Sequence, residues 1–318
     1  MRIEVVRVGG SDAQRLVIEP RAPMAASGWK AALCIGPRRV AEVPISDYHG
    51  GQFTDALLSA SRSSVTFGAV SMGATSMASS EQIVVEAKPE ALAINPAQSA
   101  VIVVDMQNDF GSKDGMFALA GIDISGIRNA IAPTARVLAS ARRAGITIVY
   151  LKMGFQPDLS DAGYPNAPNW IKHRPLRVGE ATTAPDGTAS RILIRDTWNT
   201  EIVQELAPEP GDIVLYKHRY SGFYGTDLDT VLKSRSIKSL IFTGCTTSVC
   251  VESTIRDAMF RDYTCLLLAD CTAEPIGYGL ARSNHDASLL VVQVLLGWAS
   301  NSAEFISALE AQHAPAPT

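Results

Sequence analysis

Ala100-Val101-Ile102-Val103-Val104-Asp105 runs five apolar residues, four of them β-branched, straight into a carboxylate. An unbroken run of this kind, without polar alternation, marks a strand buried on both faces of a parallel sheet. Downstream, Ile127, Ile131, Val137, Leu138 and Ala141 recur at roughly helical spacing and stop at Gly145. The same strand-then-helix rhythm continues. Strands are predicted over 146–151, 212–216, 240–243 and 265–268, and helices from 228–232, over 251–261 and over about 279–298. Repeated units of this kind predict an α/β fold with a doubly wound, mostly parallel sheet joined by right-handed crossovers.

Upstream the pattern is different. Residues 59–82 are rich in Ser, Ala and Gly without a helical or strand period, which reads as a linker. Before it, Ile3-Glu4-Val5-Val6-Arg7-Val8 and Arg15-Leu16-Val17-Ile18 alternate or cluster between glycines and prolines, predicting short strands and turns. The expected organisation is a small β-rich N-terminal extension over 1–58, the linker over 59–82, and a main domain over 83–318. Fewer than 60 residues make a marginal core alone, so the extension is expected to lean on other protein surface.

Composition narrows the function. Hydrophobic residues at 47% and charged residues at 19% are those of an ordinary globular protein. A net charge of −4 offers no basic footprint, so nucleic acid is not an expected partner. The first residues lack the apolar core of a signal peptide, and the greasiest stretch, 289–298, is broken by Gln293 and too short to span a bilayer. No membrane partner and a cytoplasmic location are expected. Five cysteines, with no CxxC pair and an odd count, argue against a disulfide framework. Most should pack as small hydrophobes; one calls for another explanation.

Three chemically capable residues follow predicted strand ends: Asp105, Lys217 and, between the fourth strand and its helix, Cys250. Alone, an Asp after a strand caps a turn, a Lys there is solvated, and a Cys near a helix start packs. Together they point to one site, because ligands of open α/β sheets bind outside the carboxyl ends of the strands. A helix N-terminus and a nearby ammonium should draw the Cys250 thiol toward thiolate. Asp105 is then placed to accept the thiol proton and return it to a leaving amine. The Cys250 amide, with one from the preceding loop, is placed to hold an oxyanion.

Three stretches carry a further likeness: 98–108 around Asp105, 211–223 around Lys217, and Phe242-Thr243-Gly244-Cys245-Thr246-Thr247-Ser248-Val249-Cys250-Val251-Glu252-Ser253-Thr254. From about 83 to 309 the chain resembles the isochorismatase-like cysteine hydrolases. That resemblance implies a three-layer α/β/α fold, a Cys250–Asp105–Lys217 triad and a homo-oligomer. It also implies a cis peptide between Cys245 and Thr246 that aims the Thr246 amide at the oxyanion beside that of Cys250. The implied reaction is cleavage of a C–N bond in a small ureido or carbamoyl compound of the ureidoacrylate kind, through a thioester-like intermediate and with no cofactor. Another small amide, a biuret or a hydrazide would suit the same triad. A non-enzymatic alternative is a binding or scaffold protein that uses the N-terminal extension. Two positions depart from the family pattern: Ser248 stands where Asn or Asp is usual, and Cys245 where a small apolar residue is usual. Metal-dependent relatives carry an Asp-x-His site after the second strand; 151–158 holds no histidine and His173 stands alone, so no metal is expected. Gln107, Asn108 and Tyr220 are the expected polar substrate contacts, with Phe110 and Phe223 as walls. Tyr164 and Trp170, in a Pro- and Gly-rich loop, suit a lid or a subunit contact.

Overall fold

The computed structural model describes residues 82–277 and 283–312, together with the backbone of four strands nearer the N-terminus. The chain divides into two compact units, Met1–Ser76 and Met77–Thr318. In the first, β1 (Arg2–Arg7) pairs antiparallel with β2 (Gln14–Glu19), and β3 (Lys30–Cys34) with β4 (Val40–Pro44). Apart from Gln82, the linker expected over 59–82 lies outside the described residues.

The second unit begins with a small antiparallel pair, β5 (Ile83–Val85) and β6 (Leu92–Ile94). Its main sheet uses β7 (Ser99–Val104), β8 (Thr147–Met153), β11 (Ile213–Lys217), β12 (Ser239–Cys245), β13 (Thr264–Ala273) and β14 (Trp298–Ser300). A separate hairpin, β9 (Ala181–Thr183) with β10 (Ala189–Arg191), sits in the long β8–β11 connection. The order across the main sheet is β11-β8-β7-β12-β13-β14, with every neighbouring pair parallel. From β7 the chain winds outward through β8 to β11, then returns to the other side of β7 and winds through β12, β13 and β14. The winding reverses between β7 and β12, the switch point where open α/β sheets leave a crevice.

All six residues of β7 are buried, as its β-branched run requires. Strand alternation sends Val101 and Val103 to one face and Ala100, Ile102 and Val104 to the other. The first face packs on α1 (Ser125–Arg143), whose Ile127, Ile131, Val137, Leu138 and Ala141 are buried. Gly145, at φ +69°, ends that helix. The α-helices that follow it in the chain are α2 (Pro168–His173), α3 (Leu228–Ser234), α4 (Glu252–Met259), α5 (Asn284–Val291) and α6 (Ser302–Gln312). Phe305 and Leu309 of α6 join the first face; Leu228 and Leu232 of α3 and Ile255 and Ala258 of α4 cover the second. Apolar stripes on both sides of the sheet make the three layers.

The C-terminal end corrects one expectation. Instead of a single helix over about 279–298, α5 runs into a wide π turn at Val292–Leu296, followed by a sixth strand and a last helix. Gly297 permits this, since a Cβ there would lie 2.3 Å from the Cys265 carbonyl oxygen of the neighbouring strand. Three residues, Trp298–Ser300, are too few to show a strand period. Residues 279–282 of the expected helix lie outside the described ones.

Candidate active site

Asp105 follows the last residue of β7 directly and takes a left-handed backbone conformation, φ +51°. Its amide donates to the Leu151 carbonyl at 2.9 Å, and its Oδ1 accepts the Met153 amide at 2.9 Å, so β8 clamps it from one side. Lys217, the last residue of β11, reaches across the end of β8. Its Nζ stands 2.7 Å from Asp105 Oδ2, and both side chains are sealed from solvent, at 0% and 1% exposure. The same Nζ donates to the Arg219 carbonyl at 3.2 Å. Beyond the ion pair, Asp105 Oδ2 has no hydrogen bond of good geometry, which leaves a lone pair for an incoming proton.

From the other side of the switch point, β12 delivers the cysteine loop. Gly244, at φ +109°, is decisive: a Cβ there would lie 2.0 Å from the Val104 carbonyl oxygen. Only glycine lets the end of β12 close on the end of β7. Cys245 then donates its thiol to the Asp105 carbonyl at 3.2 Å, and the Cys245–Thr246 peptide is cis. A π turn, Thr247–Val251, leads into α4, with the Val249 and Val251 amides both donating to the Thr246 carbonyl. The Cys250 side chain, 6% exposed, lies against both Asp105 and Lys217, each of which shifts its acidity.

The electrostatics of this cluster reverse one expectation. Burial pushes the Cys250 thiol up, and the Lys217 ammonium does not offset it. The resting group is therefore a thiol and not a standing thiolate. Burial also raises the Asp105 carboxyl, outweighing Lys217, which makes it a stronger base than a solvated aspartate. Burial works to lower Lys217, but the charge and the hydrogen bond of Asp105 outweigh it, so it stays an ammonium. Such a set suits proton transfer from sulfur to carboxylate during attack.

Cys250 and Thr246 face a cavity of about 370 Å³. Phe110 and Tyr220 line it. Three other expected contacts do not. Gln107 is buried beside it and spent on structure: its Nε2 donates to the Met153 and Thr200 carbonyls and its Oε1 accepts the Met153 amide at 2.6 Å. Asn108 is likewise spent, donating to the Trp198 carbonyl and accepting from Ser112. Phe223 is buried in the same core cluster as Cys250, 5.9 Å from the Tyr263 ring, and does not reach the cavity. Among the described residues no three His, Cys, Asp or Glu side chains cluster to hold a metal ion.

An isochorismatase domain model matches residues 99–303. The chain belongs to the isochorismatase family. It is 42% identical over 227 residues to a ureidoacrylate amidohydrolase, RutB, of Methylobacterium radiotolerans, covering 71% of this chain and 85% of that protein. A RutB of Enterobacter sp. (strain 638) is 43% identical over 223 residues, 70% of this chain and 94% of its own. Among solved structures, a cysteine hydrolase from Pseudomonas syringae pv. phaseolicola 1448A matches with a TM-score of 0.57 and 31% identity, covering 69% of this chain and 95% of that one.

Two residues of this isochorismatase-family site were not singled out from sequence. His173, which stands alone in the sequence, is buried, lines the cavity, and stands 5.7 Å ring to ring from Tyr220. Its Nδ1 lies 2.7 Å from the Asn169 carbonyl, which can only accept, so Nδ1 carries the proton and Nε2 is left as an acceptor. Burial lowers its pKa and keeps the ring neutral. Asp109 lies behind the cavity wall, its carboxylate accepting the Met116 amide at 3.0 Å and the Leu193 amide at 2.7 Å. Burial raises it to about 6. Met116 and Leu193 both line the cavity, so Asp109 braces its wall. An Asp two residues past Gln107 is a visible feature of the sequence, but its partners lie 7 and 84 residues away.

Proposed function

We propose that this chain is a cysteine amidohydrolase that cleaves the C–N bond of a ureido or carbamoyl compound of the ureidoacrylate kind. As Cys250 Sγ attacks the carbonyl carbon, its proton passes to Asp105 Oδ2, and the amides of Thr246 and Cys250 hold the oxyanion. Collapse breaks the C–N bond, and Asp105 returns the proton to the departing amine. An S-carbamoyl enzyme remains. Water then attacks it, Asp105 takes the water proton and returns it to sulfur, and the released carbamate decomposes to ammonia and carbon dioxide. Lys217 keeps a positive charge beside Asp105 throughout, and the steps use no metal or cofactor.

The observation that carries this reading is the sealed Asp105–Lys217 pair against Cys250 at the switch point. The two RutB relatives support the substrate class. We further propose a homo-oligomer, supported by Tyr164, 69% exposed on its loop. A cytoplasmic location is supported by the free thiols of Cys245, Cys250, Cys265 and Cys271; no helix among the described residues is long and apolar enough to cross a membrane.

The test is ammonia release from ureidoacrylate, with small amides and biuret as comparators. Cys250→Ser should lower turnover by on the order of 10⁴ or more, with the thermal transition nearly unchanged. A variant keeping a tenth of the activity removes Cys250 from the nucleophile's role.

A further inference from the structure

Cys245 of β12 and Ala273 of β13 are register partners, so the residues that follow them, Thr246 and Glu274, leave the sheet side by side. Thr246 opens the nucleophile loop; Glu274 opens the segment whose Pro275 and Ile276 line the cavity facing Cys250. The Glu274 carboxylate joins the two. Its Oε2 accepts the Ser248 amide at 2.8 Å and the Ser248 hydroxyl as well, and its Oε1 accepts the Ile276 amide at 2.9 Å. Ser248 stands early in the π turn Thr247–Val251, where the first amides have no acceptor within the turn. Glu274, 26 residues along the chain, supplies one. Ser248 also lies midway between Thr246 and Cys250, whose amides hold the oxyanion in the amidohydrolase reading. Thr247 is tied separately, its hydroxyl 2.9 Å from His285 Nδ1, so the loop keeps a second anchor when Glu274 is changed.

We infer that Glu274 is a positioning residue for the amidohydrolase reaction. Through Oε2 it fixes the loop that carries the oxyanion amides, and through Oε1 it fixes the wall against which substrate sits. Glu274 does not itself line the cavity, so it acts through these neighbours. The inference rests on the amidohydrolase reading; what it adds is a residue outside the Asp105–Lys217–Cys250 set on which turnover depends. Its two oxygens have separable effects. An oxyanion donor acts in the transition state and appears in kcat, whereas a wall that grips the substrate beforehand appears in KM.

The experiment measures kcat and KM for ammonia release from ureidoacrylate, using full-chain Glu274→Ala, Glu274→Gln and Ser248→Ala beside the wild type, with a thermal melt of each. Glu274→Ala frees both sides, so kcat should fall about a hundredfold, the cost of donors displaced by roughly an ångström, and KM should rise. Glutamine keeps one accepting oxygen; Ser248, with two donors, claims it and leaves the amide nitrogen toward Ile276. Glu274→Gln should therefore bring kcat back to within about threefold of the wild type while KM stays raised. Ser248→Ala removes the hydroxyl donor alone and should lower kcat about fivefold with KM unchanged. Alanine and glutamine variants that melt lower but keep the wild-type kcat make Glu274 merely structural and overturn the inference. A glutamine variant as slow as the alanine one also overturns it. So does an unchanged kcat in Ser248→Ala, which decides the matter if Glu274→Ala does not fold. In all three cases the wild type still releases ammonia and the amidohydrolase reading stands. A wild type that releases no ammonia from any ureido compound or amide overturns that reading, and this inference with it.

Discussion

Replacing Lys217 with methionine keeps the length of the side chain and removes the charge, leaving Asp105 in a site where 1% of its side chain meets solvent. Breaking a buried ion pair from one side costs about 3–5 kcal/mol, because the remaining charge has lost its partner. In a unit of the size of Met77–Thr318, each kcal/mol moves the transition by about 2–4 °C, so Tm should fall by roughly 6–20 °C. Asp105 has an escape: its carboxyl is already raised by burial, and without the ammonium it rises further and takes up a proton. The loss in Tm should therefore sit toward the low end of that range and shrink as pH is lowered. Protonation does not rescue catalysis, since a neutral Asp105 cannot accept the thiol proton. Ammonia release should drop by about a thousandfold or more. The double variant Asp105→Asn/Lys217→Met removes the orphaned charge and should recover most of the lost Tm with no recovery of activity. Circular dichroism melts at several pH values, beside an ammonia assay, measure all of this. A Lys217→Met protein that melts within about 2 °C of the wild type, or retains a tenth of its turnover, would refute the argument.

Asp109 gives a pH signature in stability. Its folded pKa of about 6 lies above the ordinary 3.8, so its contribution is fully present below the unfolded value and is lost as pH rises through about 6. The Tm difference between wild type and Asp109→Asn should therefore be more favourable to the wild type at pH 4 than at pH 7, and a pH-independent difference would contradict the assignment. Prolonged dialysis against a strong chelator should leave ammonia release intact, with no stoichiometric zinc or iron by elemental analysis; activity lost and then restored by added metal would overturn the metal-free steps. Deleting residues 1–76 should leave a folded protein that retains Cys250 chemistry, because Asp105, Lys217, Cys250 and the whole parallel sheet belong to the second unit. Scanning calorimetry and the same assay decide it, and a truncation that cannot fold would put the boundary elsewhere.

Residues 100–105 were legible alone. A β-branched run without alternation has nowhere to sit except the middle of a parallel sheet, and the residue that ends it must emerge at the carboxyl edge. The same logic brought Lys217 and the 244–250 loop to that edge, because each follows its own apolar run. Period and adjacency are local properties, so fold class, the winding of the sheet and the three triad candidates could be read from short windows. Other features were not local. Trp298–Ser300 became a strand only because β13 was there to pair with it. Gln107 and Phe223 sit beside the right motifs, yet one is consumed by Met153 and Thr200 and the other is buried against Tyr263 short of the cavity. His173 joined the cavity through a short helix in a loop with no strand period to announce it. The acidity of Cys250 went against the local reading for the same reason: a helix start and a nearby lysine are visible in sequence, but desolvation is summed over atoms from every segment that folds around the thiol, and here that sum wins.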